Sequence, residues 1–162
     1  RQTWKHEMLR LRRFSLIVTG TVAIMILSGA FVAGTHAGKV FNTFPLMDGQ
    51  LIPAGLFALE PFYRNFFENP ATVQFDHRLI AYVLMLMIPA LWMYARRFSL
   101  SPSTRMASHL LLTVFFLQAG LGIVTLLNYV PVALGAAHQG GAVLLLTCAL
   151  YFNHTLRRST TF

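Results

Sequence analysis

The sequence predicts an all-α integral membrane protein: an up-down bundle of four transmembrane helices with one long outer loop. Three observations carry this. Of 162 residues, 56% are hydrophobic and only 11% charged, too apolar for an ordinary soluble domain. Four apolar stretches, placed at 14–34, 77–94, 106–127 and 133–152, are long enough to cross a bilayer, which takes about 20 helical residues. The charge is also sorted by side. Arg1, Lys5, Arg10, Arg12 and Arg13 precede the first span, Arg96, Arg97 and Arg105 separate spans two and three, and Arg157 and Arg158 follow span four. With four spans these ten lie on one side, against Lys39, Arg64 and Arg78 on the other. That asymmetry places both termini in the cytoplasm or matrix. The net charge of +8 therefore orients the chain in a lipid bilayer and meets anionic lipid. No basic-aromatic interleaving points to nucleic acid.

Residues 1–13 form a basic N-terminal segment, with Lys5 to Arg13 extending the first helix. The first apolar stretch exceeds a signal-peptide core in length and is read as a retained span. Residues 35–74 are the one long connection. Pro45, Pro53, Pro61 and Pro70 rule out a continuous helix there, and a loop of this length is usually functional. Asp48, Glu60 and Glu68 put it at the outer surface, and Phe57, Phe62, Tyr63, Phe66 and Phe67 put part of it in the headgroup zone. The 95–104 connection is short and broken by Ser99, Ser101, Pro102 and Ser103. Spans two and three are therefore antiparallel neighbours. Pro131 is placed to begin the last helix, which closes the bundle within 14–158. Gly20, Ser28, Gly29, Ala30 and Gly34 in span one, and Ala133, Ala137 and Gly141 in span four, allow close helix approach. Cys148, the single cysteine, is a small packing residue.

His77 opens span two and His138 opens span four, from the same side of the membrane. Ionisable groups inside a bilayer are costly and mark function. Spans two and four are not consecutive and can sit diagonally, with one imidazole on each side of a flat metal cofactor. One turn from His138 lie Leu134, Gly135, Gly141 and Ala142, an almost bare face. Around His77 lie Val73, Gln74, Ile80 and Ala81. The pair also suits other metals or a proton pathway. Arg78, with Lys39 as a second choice, can pair with a cofactor carboxylate or snorkel at the interface. His36 sits at the loop edge, His109 at the opposite depth, and His6 and His154 in the basic ends.

The strings GAFVAGTHAGKVFNTFPLMDG from Gly29, FENPATVQFDHR from Phe67, QAGLGIVTLL from Gln118 and PVALGAAHQGG from Pro131 resemble the heme A synthase family, in its C-terminal four-helix half. Members usually have eight spans in two related halves. The resemblance implies an oxidoreductase that converts a ring methyl of heme O, through an alcohol, to the formyl group of heme A for cytochrome oxidase. It implies that the half matched here holds a heme b cofactor through His77 and His138. The family's first half carries a catalytic glutamate one turn before its first histidine, and here that position is Gln74. His36 stands where the family often has an acidic residue. Catalytic residues are not assigned. The implied partners are heme O, the N-terminal half or a second copy of the chain, and heme O synthase; the implied location is the bacterial plasma membrane or the mitochondrial inner membrane. A chain that opens at Arg1 rather than methionine is expected to be a processed product or a fragment. A stand-alone bis-histidine b-type electron carrier and a half-size homo-oligomeric synthase are the alternatives.

Overall fold

The structure is a computed structural model that describes residues 2–158, with side chains from Trp4 onward; Arg1, counted in the charge asymmetry, lies outside the described residues. Regular structure is helical except for one bridge between Met47 and Gln50. The helices are α1 (Gln2–Gly34), a single turn α2 (Asn65–Glu68), α3 (Pro70–Ala95), α4 (Pro102–Leu127) and α5 (Val132–Arg158). The four long ones are apolar enough to cross a membrane. At 33 residues, α1 runs about 50 Å, well beyond a hydrocarbon core of about 30 Å. Its basic first turns therefore continue past the membrane core as one helix.

The expected spans fall inside longer helices. Beside the histidines the difference is at α3, which begins at Pro70, so residues 70–74 belong to the helix and the loop ends at Asn69. The cause is local. The Asn69 side chain accepts from the backbone N–H of Ala71 at 3.0 Å, and Pro70 occupies the first helical position, where its missing N–H costs nothing. Likewise α4 starts at Pro102, behind the Ser101 cap.

The long helices form a ring in the order α1, α3, α4, α5. α4 packs most extensively on α5 and α1 on α3, while the α1–α5 and α3–α4 seams are narrower. α3 and α5 thus stand diagonally. Side-chain bonds confirm antiparallel neighbours: Tyr94 Oη donates to Glu7 at 2.6 Å, and Asn153 Nδ2 donates to Thr19 Oγ1 at 2.6 Å.

The apolar core fills only one end of the bundle. It comprises Met8, Leu11, Val18 and Val22 of α1, Leu84, Ile88, Leu91 and Ala95 of α3, Ala107, Leu111 and Phe115 of α4, and Leu145, Ala149, Phe152 and Leu156 of α5. Beyond Val22 no residue of α1 is buried, and before Leu145 none of α5 is. The large apolar side chains left outside, such as Leu16, Ile17, Leu27, Leu86, Leu117 and Val143, are the faces a bilayer would cover.

The outer loop is ordered by buried polar side chains. Asn65 is fully buried. It accepts from Leu59 N at 2.9 Å and donates to the carbonyls of Leu59 and Phe62. Asn69 Nδ2 donates to Gly55 O and to Asn65 Oδ1. Such bonds satisfy backbone groups that no helix or sheet serves. Phe57, Phe62 and Phe66 pack ring to ring outside this knot. Arg64 hydrogen-bonds Glu68 and holds its carboxyl below the ordinary range.

Candidate functional site

The end of the bundle that lacks an apolar core is the end that carries both histidines. His77 lies in the second turn of α3 and His138 in the second turn of α5, on diagonal helices. Each imidazole rests against a glycine of the neighbouring helix. A Cβ on Gly29 of α1 would meet His77 Cε1 at 3.3 Å, and one on Gly122 of α4 would collide with His138 Cε1 at 2.7 Å. Neither position tolerates a larger side chain without moving its histidine. The two helix pairs α1/α3 and α4/α5 thus repeat one arrangement, a glycine on one helix and a histidine on the other.

The polar partners differ. Ser28 Oγ lies 3.2 Å from His77 Nδ1. In the tautomer where Nδ1–H donates to that hydroxyl, the Nε2 lone pair is free for a metal, the usual way an outer partner orients a ligand. His138 Nδ1 is buried without a partner. Its backbone is held instead, because Gln118 Nε2 donates to His138 O at 2.6 Å. Gln118 Oε1 is buried and unpartnered, and it lies so close over Gly141 that any Cβ there would overlap it.

Arg78, one residue past His77, is buried. Its Nη2 donates to Thr43 O and Gln74 Oε1, both at 2.8 Å, and to Phe41 O at 3.3 Å; Nη1 donates to Pro45 O at 3.3 Å. Nε is buried with no partner. Most of this guanidinium therefore fastens the outer loop to α3. Gln74 extends the same joint by donating to Ala37 O at 2.6 Å. Asn42 Nδ2 of the loop also donates to Leu126 O of α4 at 2.9 Å. The loop is so tied over the histidine end from two helices.

The remaining candidates lie elsewhere. His36 is exposed in a left-handed turn with φ 54°, and Lys39 is exposed in the following turn of 3-10 helix, Ala37–Lys39. His109 is at the opposite end of the bundle, hydrogen-bonded to Trp92. His6 and His154 are exposed. No cluster of three or more His, Cys, Asp or Glu side chains occurs among the described residues, so a metal here relies on the two imidazoles and a group that brings its own donors. A porphyrin is such a group, and the observations fit one: a bundle end without apolar core, imidazoles on diagonal helices, an orphaned His138 Nδ1 and glycines wherever the rings lie. Sequence reasoning missed Ser28 and Gln118 as partners of the histidines and Gly122 as a rest for one. Gln118 and Gly122 lie within QAGLGIVTLL, but their roles depend on contacts across helices.

Residues 1–150 match the cytochrome oxidase assembly protein family, COX15-CtaA. The chain is 58% identical over 142 residues to heme A synthase of Nitrosomonas eutropha, covering 88% of this chain and 40% of that protein. It is 48% identical over 153 residues to heme A synthase COX15 of Homo sapiens, covering 94% and 37%. With its counterpart from Arabidopsis thaliana it shares 45% identity over 155 residues, covering 96% and 34%. The chain therefore spans between about a third and two fifths of the length of these relatives. No solved structure matches it. A family match over nearly the whole chain, together with a four-span helical bundle and paired histidines, leads to one conclusion: the chain belongs to the cytochrome oxidase assembly family that includes the heme A synthases.

Proposed function

We propose that this chain is the cofactor-holding half of a heme A synthase, with one heme b held between His77 and His138. One observation carries the reading. The main apolar core stops short of the histidine end, and there two imidazoles stand on diagonal helices, each against a glycine. A histidine in a span is retained at a cost, and two at one depth suit the two axial positions of a heme.

When bound, the heme supplies reversible one-electron chemistry at its iron. The chain's own residues bind and orient. His77 and His138 would hold the iron, Ser28 would hold the His77 ring, and Gln118 would hold the backbone at His138. The orphaned Nε–H of Arg78 is the donor that would meet a propionate. Both imidazoles would be taken up in holding that heme, which would leave this chain no second histidine pair for a substrate heme. Oxidation of the heme O methyl to the formyl of heme A would then occur elsewhere, in the rest of the protein or in a second copy. The membrane would be the bacterial plasma membrane or the mitochondrial inner membrane.

The purified chain should take up one heme b with a low-spin, bis-histidine spectrum. His77→Ala or His138→Ala should abolish that spectrum while leaving the helical circular dichroism in place. A normal low-spin spectrum in either variant refutes the ligand assignment.

A further inference from the structure

We infer that the cleft between α3 and α4, at the end of the bundle opposite the histidines, binds the phosphate headgroup of an anionic lipid. The cleft is an open groove of about 650 Å³ lined by Trp92, Arg96, Leu100, Arg105, Ser108 and His109 among others. The Arg96 guanidinium lies over the Trp92 ring, 4.6 Å from its centroid, an arrangement that fixes a charge in place without neutralising it. No carboxylate pairs with Arg96 or Arg105 among the described residues. Glu7, near the start of α1, is engaged by Arg10 and Tyr94.

The histidine adds a directed donor. Trp92 Nε1 lies 3.0 Å from His109 Nδ1. An indole N–H can only donate, so Nδ1 must accept. The ring then carries its proton on Nε2, where it can donate to an anion. Two guanidiniums and an imidazole N–H thus border one cleft, a set that matches phosphate oxygens.

The walls explain why the anion is a lipid. Trp92, Phe98 and buried Leu100 give the cleft an apolar side. The cleft opens where α3 ends at Ala95 and α4 begins at Pro102, the level at which an apolar span meets the headgroups. Aromatic side chains belong at that level, and basic pockets between spans on the positive side hold anionic headgroups. Soluble phosphate would use the cations and leave the apolar wall wet.

The test is lipid retention by the whole chain, measured by native mass spectrometry in mild detergent during titration with phosphatidylglycerol or phosphatidylcholine. Phosphatidylglycerol should be kept in preference to phosphatidylcholine, and millimolar inorganic phosphate should not displace it. The double variant Arg96→Gln/Arg105→Gln should weaken retention about thirtyfold, the expectation for two basic side chains near a headgroup. Lys5→Gln/Arg13→Gln, which removes the same charge from exposed sites on α1, should change it by no more than about twofold. Trp92→Phe keeps the packing but removes the bond to His109, and should weaken retention about threefold. Equal retention of the two lipids, parental retention in both cleft variants, or displacement by inorganic phosphate would each overturn the proposal.

Discussion

Gln118 shows how one amide can set the position of a histidine it does not touch through its ring. Its Nε2 is bonded to the His138 carbonyl, and its Oε1 is wedged over Gly141. Gln118→Leu removes the donor, and Gly141→Ala pushes the amide away by overlap. Each should weaken heme retention roughly tenfold, the usual effect of losing an outer partner of a ligand. The low-spin spectrum should survive, because His138 remains. Heme titration followed by absorbance separates this from His138→Ala, where the spectrum itself is lost. His77 and His138 were legible in the sequence because an imidazole in an apolar run is conspicuous. Gln118 was not. Its importance depends on a glycine 23 positions further along, on another helix, and neither residue type announces that meeting. Arg78 was legible as a residue of interest, but the loop carbonyls that occupy most of its donors were not, because a chain's return path over a bundle leaves no periodic trace.

At the scale of elements, the outer loop is held by few groups. Arg78 alone serves the carbonyls of Phe41, Thr43 and Pro45. Arg78→Gln should leave those acceptors without their charged donor and cost about 3 kcal/mol locally. The helices should persist, so the loss should appear as faster proteolysis within residues 40–50 in detergent, with little change in helical circular dichroism. Parental cleavage rates in that variant would show that Asn42 and the Asn65–Asn69 knot hold the loop without it. The helices themselves were readable from apolar run length, and their direction from charge. Their ends were less so: α3 starts at Pro70 rather than His77, because the Asn69–Pro70 cap is a short polar signal outside the apolar run.

For the whole molecule, orientation and activity are both testable. If the ten-to-three charge asymmetry orients the chain as expected, Asp48, exposed in the loop, faces away from the cytoplasm or matrix. Asp48→Cys should react with an impermeant thiol reagent added from that outer side, against a low background from buried Cys148. Labelling only from the opposite face would reverse the topology. The chain alone should not turn heme O into heme A. Gln74, one turn before His77, is buried with its amide bonded to Ala37 and Arg78, and an amide cannot act as a general acid or base near neutral pH. Incubation with heme O, reductant and oxygen should give no hydroxylated or formyl heme by mass spectrometry. Heme A from the isolated chain would promote the homo-oligomeric reading.

The narrow seams between α1/α3 and α4/α5 have a mechanical consequence. His77 belongs to one helix pair and His138 to the other, and at their end no apolar core joins the two pairs. A ligand gripped by both imidazoles would act as a rivet across a clam-like joint whose far end is already closed by packing. Its affinity would then contribute directly to the rigidity of the histidine end. Removing it should let the pairs spread there without unwinding any helix, a breathing of the jaws rather than a melting of the fold.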